Sequence, residues 1–192
     1  QLMPASQYAS VNEAGNRTTA QPNNFNWGYD PQNEMVPEGE YASNSVNPVT
    51  RINEMKEMVQ GLHTNGISVV MDMVLNHVYS QSASAFEKSE PGYYFRKNTQ
   101  SGCGNDTASN HEMFGKYIID SVTYWAKNYD IDGFRFDEMT LLDSTTMNKL
   151  RAALTALDPH IIMYGEGWGD SNANNIPETS INNYKNVPGI GF

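Results

Sequence analysis

Ionisable and amide side chains stand at the ends of three short apolar runs of this 192-residue chain. In chain order they are Asp72, Asn76, His77, Arg135, Asp137 and Glu166. A single carboxylate in such a place is most often a helix cap or part of a surface ion pair. Several acids gathered with an arginine at strand ends can instead act as nucleophile and as general acid or base. The set as a whole therefore predicts a catalytic site.

Asp137 and Glu166 are the two carboxylates whose surroundings differ most. Arg135 lies two positions before Asp137, and its guanidinium should favour the charged form and lower the pKa of Asp137. Glu166 stands between glycines and next to Trp168, where partial desolvation should keep it protonated. Retaining glycoside hydrolysis needs one ionised carboxylate to attack the anomeric carbon and one protonated carboxyl group to release the leaving oxygen. We therefore predict Asp137 as nucleophile and Glu166 as general acid/base.

Three helix–strand units should position these groups. Apolar residues recur at helical spacing in 49–65, 111–129 and 143–157. Apolar runs typical of buried strands follow them, at 67–74, 131–137 and 161–166. Such alternation is typical of parallel α/β architecture, in which the carboxyl ends of the strands meet at one edge. Groups that are far apart in sequence should therefore converge there.

Strand alternation predicts which side chains face the site. Arg135 and Asp137 should share one face of their strand, whereas Phe134 and Phe136 should point to the other and pack against helices. A lone histidine is more often structural. His77, however, follows an Asn at a strand end and can donate to a sugar hydroxyl, so we interpret it as a substrate-binding residue.

The remaining segments predict one incomplete domain over residues 1–192. Residues 5–48 and 76–110 are rich in Asn, Ser, Gly and Pro and are expected to be long, functional loops. The chain opens on what reads as the end of a strand and stops without helical closure, so both ends look cut.

Composition narrows the class of partner. The formal net charge of −10 should repel nucleic acids and anionic membranes, so a neutral substrate is expected. No apolar run is long enough to cross a bilayer. Cys103 is the single cysteine, which excludes an intramolecular disulfide and a zinc site made of cysteines. The cysteine count does not distinguish the cytoplasm from a secreted location.

Three short segments resemble those of glycoside hydrolase family 13, the α-amylase clan: MDMVLNH at 71–77, GFRFD at 133–137 and YGE at 164–166. Within that family, FNWGYDP at 25–31 and GCGNDTAS at 102–109 resemble segments of type I pullulanases. The resemblance implies a (β/α)8 TIM barrel, of which this chain would span the end of the second strand through the fifth strand and its loop. It also implies hydrolysis of α-1,6-glucosidic branch linkages in pullulan, amylopectin and related α-glucans.

By motif position, the resemblance implies Asp137 as nucleophile, Glu166 as acid/base and Arg135 as the partner that orients and ionises the nucleophile. The family's third acid, near the seventh strand, would lie beyond Phe192. The chain by itself is therefore expected to be inactive.

The resemblance also implies the residues that bind substrate. Asp72 and His77 would line the glucose at the cleavage site, Tyr29 would stack under it, and Trp168 would add a further sugar contact. No cofactor is required. Asn76 matches a position that ligates calcium in some amylases, which leaves a structural calcium ion open, but no metal ligand is assigned.

Three residues depart from the family pattern. Leu75 stands where pullulanases usually have Tyr, and Glu138 and Thr140 stand where Leu and Gly are usual. Strand alternation predicts that Glu138 turns away from Asp137 and needs a polar partner on the helix side.

Other readings of the sequence remain open. One is another hydrolase of the same clan, such as an isoamylase or an amylase-type enzyme, and the segment at 25–31 favours a pullulanase over it. Another is a non-catalytic glycan-binding or scaffold protein, which would be expected to have lost Asp137 or Glu166. A third is a truncated piece without independent function.

The retaining pair makes a geometric prediction. The carboxyl groups of Asp137 and Glu166 should lie about 5–5.5 Å apart when substrate can bind, because the nucleophile must reach the anomeric carbon directly. Neighbouring strands about 4.8 Å apart permit this spacing without strain. A crystal structure with a bound oligosaccharide measures it, and a separation well beyond about 10 Å would rule out the pair.

Overall fold

The computed structural model describes residues 1–13, 25–167, 184 and 189–191. Its regular elements are, in chain order, β1 (Ser6–Tyr8), β2 (Pro31–Pro37), α1 (Pro48–Thr64), β3 (Val70–Met73), α2 (Ala85–Ser89), α3 (Glu112–Tyr129), β4 (Gly133–Phe136), α4 (Ser144–Leu157) and β5 (Ile162–Gly165). Short 3-10 helices lie at Gly39–Tyr41 and Met139–Leu141. None of the helices described is both long and apolar enough to cross a lipid bilayer.

A parallel sheet with the order β3-β4-β5 forms the centre of this mixed α/β fold. Its register places Asp72 beside Arg135, and Arg135 beside Tyr164. The three predicted helix–strand units are confirmed as α1–β3, α3–β4 and α4–β5. The strands are shorter than the apolar runs because the parallel ladder pairs only four residues in each of them.

Side-chain caps fix where two of the long helices begin. Asn47 accepts a hydrogen bond from the Val49 amide ahead of α1, and Pro48 occupies the first turn, where its missing N–H costs nothing. Asp143 accepts from the Thr146 amide at the start of α4. These caps set the points from which each helix returns to the sheet.

The core lies between the sheet and its helices. Its fully buried side chains include Met71, Met73, Phe114, Ile118, Val122, Trp125, Phe134, Phe136, Leu150 and Leu154. Burial of each large apolar side chain contributes about 1.5–3 kcal/mol. Phe134 and Phe136 are completely buried, which confirms the predicted alternation along β4.

The two segments expected to be loops contain short elements. β1 and β2 pair antiparallel within residues 5–48, with two irregularities in register, and α2 lies within 76–110. Prolines bound β2, and its pattern of burial does not alternate, so hydrophobic periodicity gave no strand signal there.

Glu34, in β2, is a carboxylate buried within this framework. Its side chain is only 2% exposed, and its Oε2 accepts a hydrogen bond of 2.6 Å from the Tyr117 hydroxyl. Its backbone oxygen accepts a 2.7 Å hydrogen bond from the Trp125 indole. Burial raises the pKa of Glu34 above its ordinary value of 4.5, and the bond from Tyr117 opposes this only in part.

Glu34→Gln should stabilise the protein above neutral pH. A carboxyl group whose pKa is raised on folding loses its contribution to stability as pH rises from its ordinary value of 4.5 towards the raised one. The amide cannot ionise, so the variant should be more stable than the wild type at pH 8 and should differ little from it near pH 4. Denaturant unfolding at both values measures this. Equal destabilisation at both would contradict it, and the exposed Glu57→Gln in α1 is the matched control.

Candidate active site

The carboxyl ends of the three parallel strands bring the predicted acids together. Asp72 lies within β3, Asp137 directly follows β4, and Glu166 directly follows β5. The amide of Asp137 donates to the Met73 carbonyl, and that of Glu166 donates to the Phe136 carbonyl, both at 3.0 Å. The sheet ladder thus continues one residue beyond each strand and fixes the two catalytic candidates side by side.

One guanidinium contacts all three acids. Arg135 Nη1 lies 3.0 and 3.2 Å from the two oxygens of Asp72 and 3.0 Å from Asp137 Oδ1. Its Nη2 lies 2.8 Å from Glu166 Oε2. Burial disfavours the charged guanidinium, but Asp72 and Asp137 more than compensate and raise the pKa of Arg135. Arg135 is therefore the cation on which these three contacts converge.

Asp137 corrects one expectation from the sequence. Its side chain is 12% exposed, and burial raises the pKa of Asp137 above its ordinary value. The hydrogen bond and charge of Arg135 and the amide of Asn76 lower this pKa, while the charge of Glu166 adds to the rise. The predicted lowering was wrong because desolvation outweighs the guanidinium.

Asp72 is the most deeply buried of the acids, with no exposed surface. Besides Arg135, its Oδ2 accepts from the Tyr29 hydroxyl at 3.1 Å and from the Gln1 amide at 3.3 Å. Burial raises the pKa of Asp72, against the effect of Arg135. Burial and the charge of Asp72 raise the pKa of Tyr29 to about 12. Tyr29 therefore reaches the same site from a distant loop.

A close turn places Tyr29 there. Gly28 has φ of 88°, in the left-handed region, and its amide donates to the Asn26 side chain at 2.8 Å. A Cβ at this position would meet Pro4 and Tyr8 atoms at 2.9 Å. Glycine is thus required immediately before the aromatic ring.

Asn76 links the histidine to the acids. His77 Nδ1 lies 2.9 Å from Asn76 Oδ1, and His77 Nε2 lies 3.0 Å from the Tyr29 carbonyl oxygen. The Asn76 amide nitrogen donates to Asp137 Oδ2 at 3.2 Å and to Glu138 Oε2. The sequence placed Asn76 in a motif, but its partners lie on another strand end and could not be identified from spacing alone.

Glu138 corrects a second expectation. Its φ of 41° and ψ of 45° break strand alternation directly after Asp137, and its carboxylate accepts from Asn76 instead of a group on the helix side. Burial, followed by the charge of Asp137, raises the pKa of Glu138 to about 7. The predicted turn away from Asp137 was wrong because β4 ends at Phe136.

The structure does not fit a structural calcium site at this edge. In the part of the chain that is described, one cluster offers three ligand types within 4.8 Å, namely His77, Asp137 and Glu138. Both nitrogens of His77 and the oxygen of Asn76 are already engaged with each other or with Tyr29. Calcium prefers six to eight oxygen ligands, so this cluster does not suit it.

The predicted residues Asp72, His77, Arg135, Asp137, Glu166 and Tyr29 thus lie in one connected network. Trp168 lies outside the described residues. The network offers two carboxyl groups next to one cation, hydroxyl and imidazole groups around them, and a third of the Glu166 side chain exposed to solvent. It can therefore support nucleophilic attack with general acid/base assistance.

Comparison with known proteins identifies pullulanases as relatives of this chain. No family model matches the chain. It is 40% identical to the pullulanase of Bacillus subtilis strain 168 over 201 residues, which cover all of this chain and 27% of that protein. It is 37% identical to the pullulanase of Klebsiella pneumoniae, with 93% of this chain and 17% of that protein covered.

A solved structure agrees with these relatives. The pullulanase of Paenibacillus barengoltzii, in complex with maltohexaose and α-cyclodextrin, is 40% identical and superposes with a TM-score of 0.89. The match covers all of this chain and 30% of that one. The chain thus spans less than a third of the length of these proteins and is similar to one part of them throughout.

Gly165, which precedes Glu166, should not tolerate a side chain. A Cβ there would lie 2.5 Å from Met139 Cβ and 2.6 Å from Met139 Sδ, in a completely buried contact. Gly165→Ala should therefore lower the free energy of unfolding by about 1–3 kcal/mol. Gly61→Ala, on an open helix surface, is the matched control and should raise it by about 0.5–1 kcal/mol. Denaturant titration compares them, and equal effects of both changes would contradict this packing argument.

Proposed function

We propose that this chain, which is homologous over its whole length to one part of the pullulanases, carries the nucleophile and the acid/base of a retaining glycoside hydrolase. This hydrolase would cleave the α-1,6-glucosidic branch linkages of pullulan, amylopectin and related α-glucans. The observation that carries the proposal is the contact of one guanidinium, Arg135, with Asp72, Asp137 and Glu166 at three adjacent strand ends. Two differently placed carboxylates beside one cation are suited to this chemistry.

The proposed framework is a (β/α)8 barrel, of which residues 1–192 form an incomplete catalytic domain. Three helix–strand units in consecutive order support it, as does the gathering of polar groups at the carboxyl ends of the strands. The Leu2 amide donates to the Val70 carbonyl at 2.8 Å, so the chain ahead of β1 runs beside β3 as a preceding strand would.

In the first step, Asp137 attacks the anomeric carbon while Glu166 gives its proton to the leaving oxygen. The bond to the leaving sugar breaks as the bond to Asp137 Oδ forms, which gives a covalent glycosyl–enzyme. Hydrogen bonds from Arg135 and Asn76 to the two oxygens of Asp137 stabilise its ionised form and orient it. Glu166 then takes a proton from water, which attacks the same carbon and releases Asp137.

Exposure separates the roles of the acids. Asp72 has no exposed side-chain surface and Asp137 has 12%, whereas Glu166 has 33%. A general acid must reach an oxygen that belongs partly to the leaving chain, so the most accessible carboxyl group suits this role. Asp72 is too enclosed to react and is suited to binding sugar hydroxyls together with Arg135.

The proposed sugar site combines polar and aromatic groups. Asp72 and His77 would hold hydroxyls of the glucose, and the Tyr29 ring would stack under it, with its hydroxyl held by Asp72. Phe25 and Trp27, which are 82% and 63% exposed, line an open groove with Tyr29 and would extend the platform. Trp168 remains a predicted sugar contact.

An α-glucan is the substrate class that these features support. Aromatic faces and neutral hydroxyl-binding groups suit an uncharged sugar chain, and the net charge of −10 disfavours nucleic acid and anionic membranes. The similar Paenibacillus enzyme was solved with maltohexaose and α-cyclodextrin, which are α-glucans. The proposed reaction uses no cofactor and no metal.

Two variants of the complete natural protein should separate the roles. Asp137→Asn keeps shape but cannot attack, so pullulan hydrolysis should fall about 10⁴-fold or more while oligosaccharide binding is retained. Glu166→Gln should lose pullulan hydrolysis, yet its first step should be partly spared on a glucoside with an activated leaving group, because that group needs little protonation. Burst and steady-state rates on both substrates measure this.

Asp120→Asn in α3 is the control, because the same chemical change there falls on a side chain that is 50% exposed and pairs with Lys116 instead of a residue of the site. Normal pullulan hydrolysis by both site variants would contradict the proposed function. Rescue of Asp137→Asn instead of Glu166→Gln by the activated substrate would reverse the assignment of roles.

A further inference from the structure

Glu138 is a carboxyl group of the site that the proposed mechanism does not use. It directly follows Asp137 and stands where Leu is usual in the family pattern. Its φ of 41° returns its side chain to the strand ends, where its carboxyl group lies within 4.8 Å of ligand atoms of His77 and Asp137. Its side chain is partly buried, and no ion pair among the described residues involves it. No cation of the protein therefore uses up its capacity to accept hydrogen bonds.

Asn76 holds one oxygen of this carboxyl group and leaves the other free. The Asn76 amide donates to Glu138 Oε2 and to Asp137 Oδ2. Glu138 Oε1 has no hydrogen-bond partner among the described residues, and it is not one of the buried side-chain atoms that lack a partner, which belong to other residues. Oε1 is therefore accessible to solvent while the rest of the group is held in place. A carboxyl group keeps acceptor capacity in either protonation state.

The other acids around Glu138 have little acceptor capacity left for a sugar. Both oxygens of Asp72, Asp137 and Asp106 accept hydrogen bonds from protein donors. Glu166 Oε2 accepts from the guanidinium, and Glu166 Oε1 is needed for proton transfer in the proposed mechanism. Of these five acids, Glu138 can thus bind a hydroxyl group without giving up a protein contact or a catalytic role.

The backbone of Glu138 relates this free oxygen to the leaving sugar. The Glu138 amide donates to Glu166 Oε2 at 3.3 Å, so the two residues lie side by side. In the proposed site, Glu166 gives its proton to the oxygen of the leaving glucose, whereas Asp72, His77 and Tyr29 surround the glucose that is attacked. The leaving glucose is therefore the sugar whose hydroxyl groups come closest to Glu138.

We propose that Glu138 is a specificity-determining residue: its Oε1 accepts a hydrogen bond from a hydroxyl group of the leaving glucose and so favours a glucan over a leaving group without hydroxyls. This inference rests on the proposed function. A site that hydrogen-bonds a substrate hydroxyl discriminates against an analogue that lacks it. Because Glu138 Oε1 is accessible to water, which can replace the sugar, the discrimination should be about 10-fold and not larger by orders of magnitude.

The test compares two substrates of the complete natural protein. Pullulan has a glucose unit as its leaving group, whereas α-maltosyl fluoride releases fluoride and offers no hydroxyl group on that side. Glu138→Leu removes the acceptor, so the ratio of kcat/KM on pullulan to kcat/KM on the fluoride should fall about 10-fold. Glu138→Gln keeps a neutral acceptor, and its ratio should fall about 3-fold. Glu112→Leu, the same change at the exposed first turn of α3, should leave the ratio unchanged.

Equal losses on both substrates would leave the ratio as it is in the wild type, which would show a merely structural role and overturn the inference. If Glu138→Leu does not fold, the ratio for Glu138→Gln decides, and a value equal to that of the wild type would contradict the proposed contact. A wild-type protein without pullulan hydrolysis would overturn the proposed function together with this inference. An active wild type whose ratio is the same in the Glu138 variants overturns the inference alone.

Discussion

The site depends on one cation shared among three carboxylates. Arg135 can do this because its guanidinium is planar, permanently charged and supplied with several N–H donors, so that one nitrogen serves Asp72 and Asp137 while the other serves Glu166. A lysine would bring a single nitrogen to the same place. Asp72 has no exposed surface, and an ionised group so buried is costly unless it is paired and hydrogen-bonded. The guanidinium thus offsets the free-energy cost of burying ionised acids at these strand ends.

The register and packing of the sheet determine the position of the Arg135 guanidinium. The parallel register places Asp72 opposite Arg135, and a slip by one residue would send one of the two side chains to the other face of the sheet. Gly133 allows the strands to approach, because a Cβ there would meet Ile162 Cβ and Val70 Cγ2 at 3.1 Å. The alternation that buries Phe134 and Phe136 also turns Arg135 towards the acids. Core and site are therefore two faces of the same strands.

Hydrophobic periodicity was sufficient to predict the three helix–strand units and the convergence of acids at their ends, because both follow from spacing along the chain. Other features depend on contacts between distant segments. The direction of the pKa shift of Asp137 follows from burial, which its neighbours in sequence do not reveal. The orientation of Glu138 follows from a left-handed backbone conformation at the first residue where strand alternation no longer applies. The role of Asn76 became visible only when its partners on another strand end were known.

A retaining mechanism needs two neighbouring acids in opposite protonation states, because the nucleophile must be ionised while the acid/base is protonated. Asp137 receives side-chain donors on both of its oxygens, from Arg135 and Asn76, whereas the Arg135 and Glu138 donors to Glu166 converge on a single oxygen. This difference favours the charge on Asp137. Glu166 is also the more exposed of the two acids, so it is the one that a leaving oxygen could approach in the proposed mechanism.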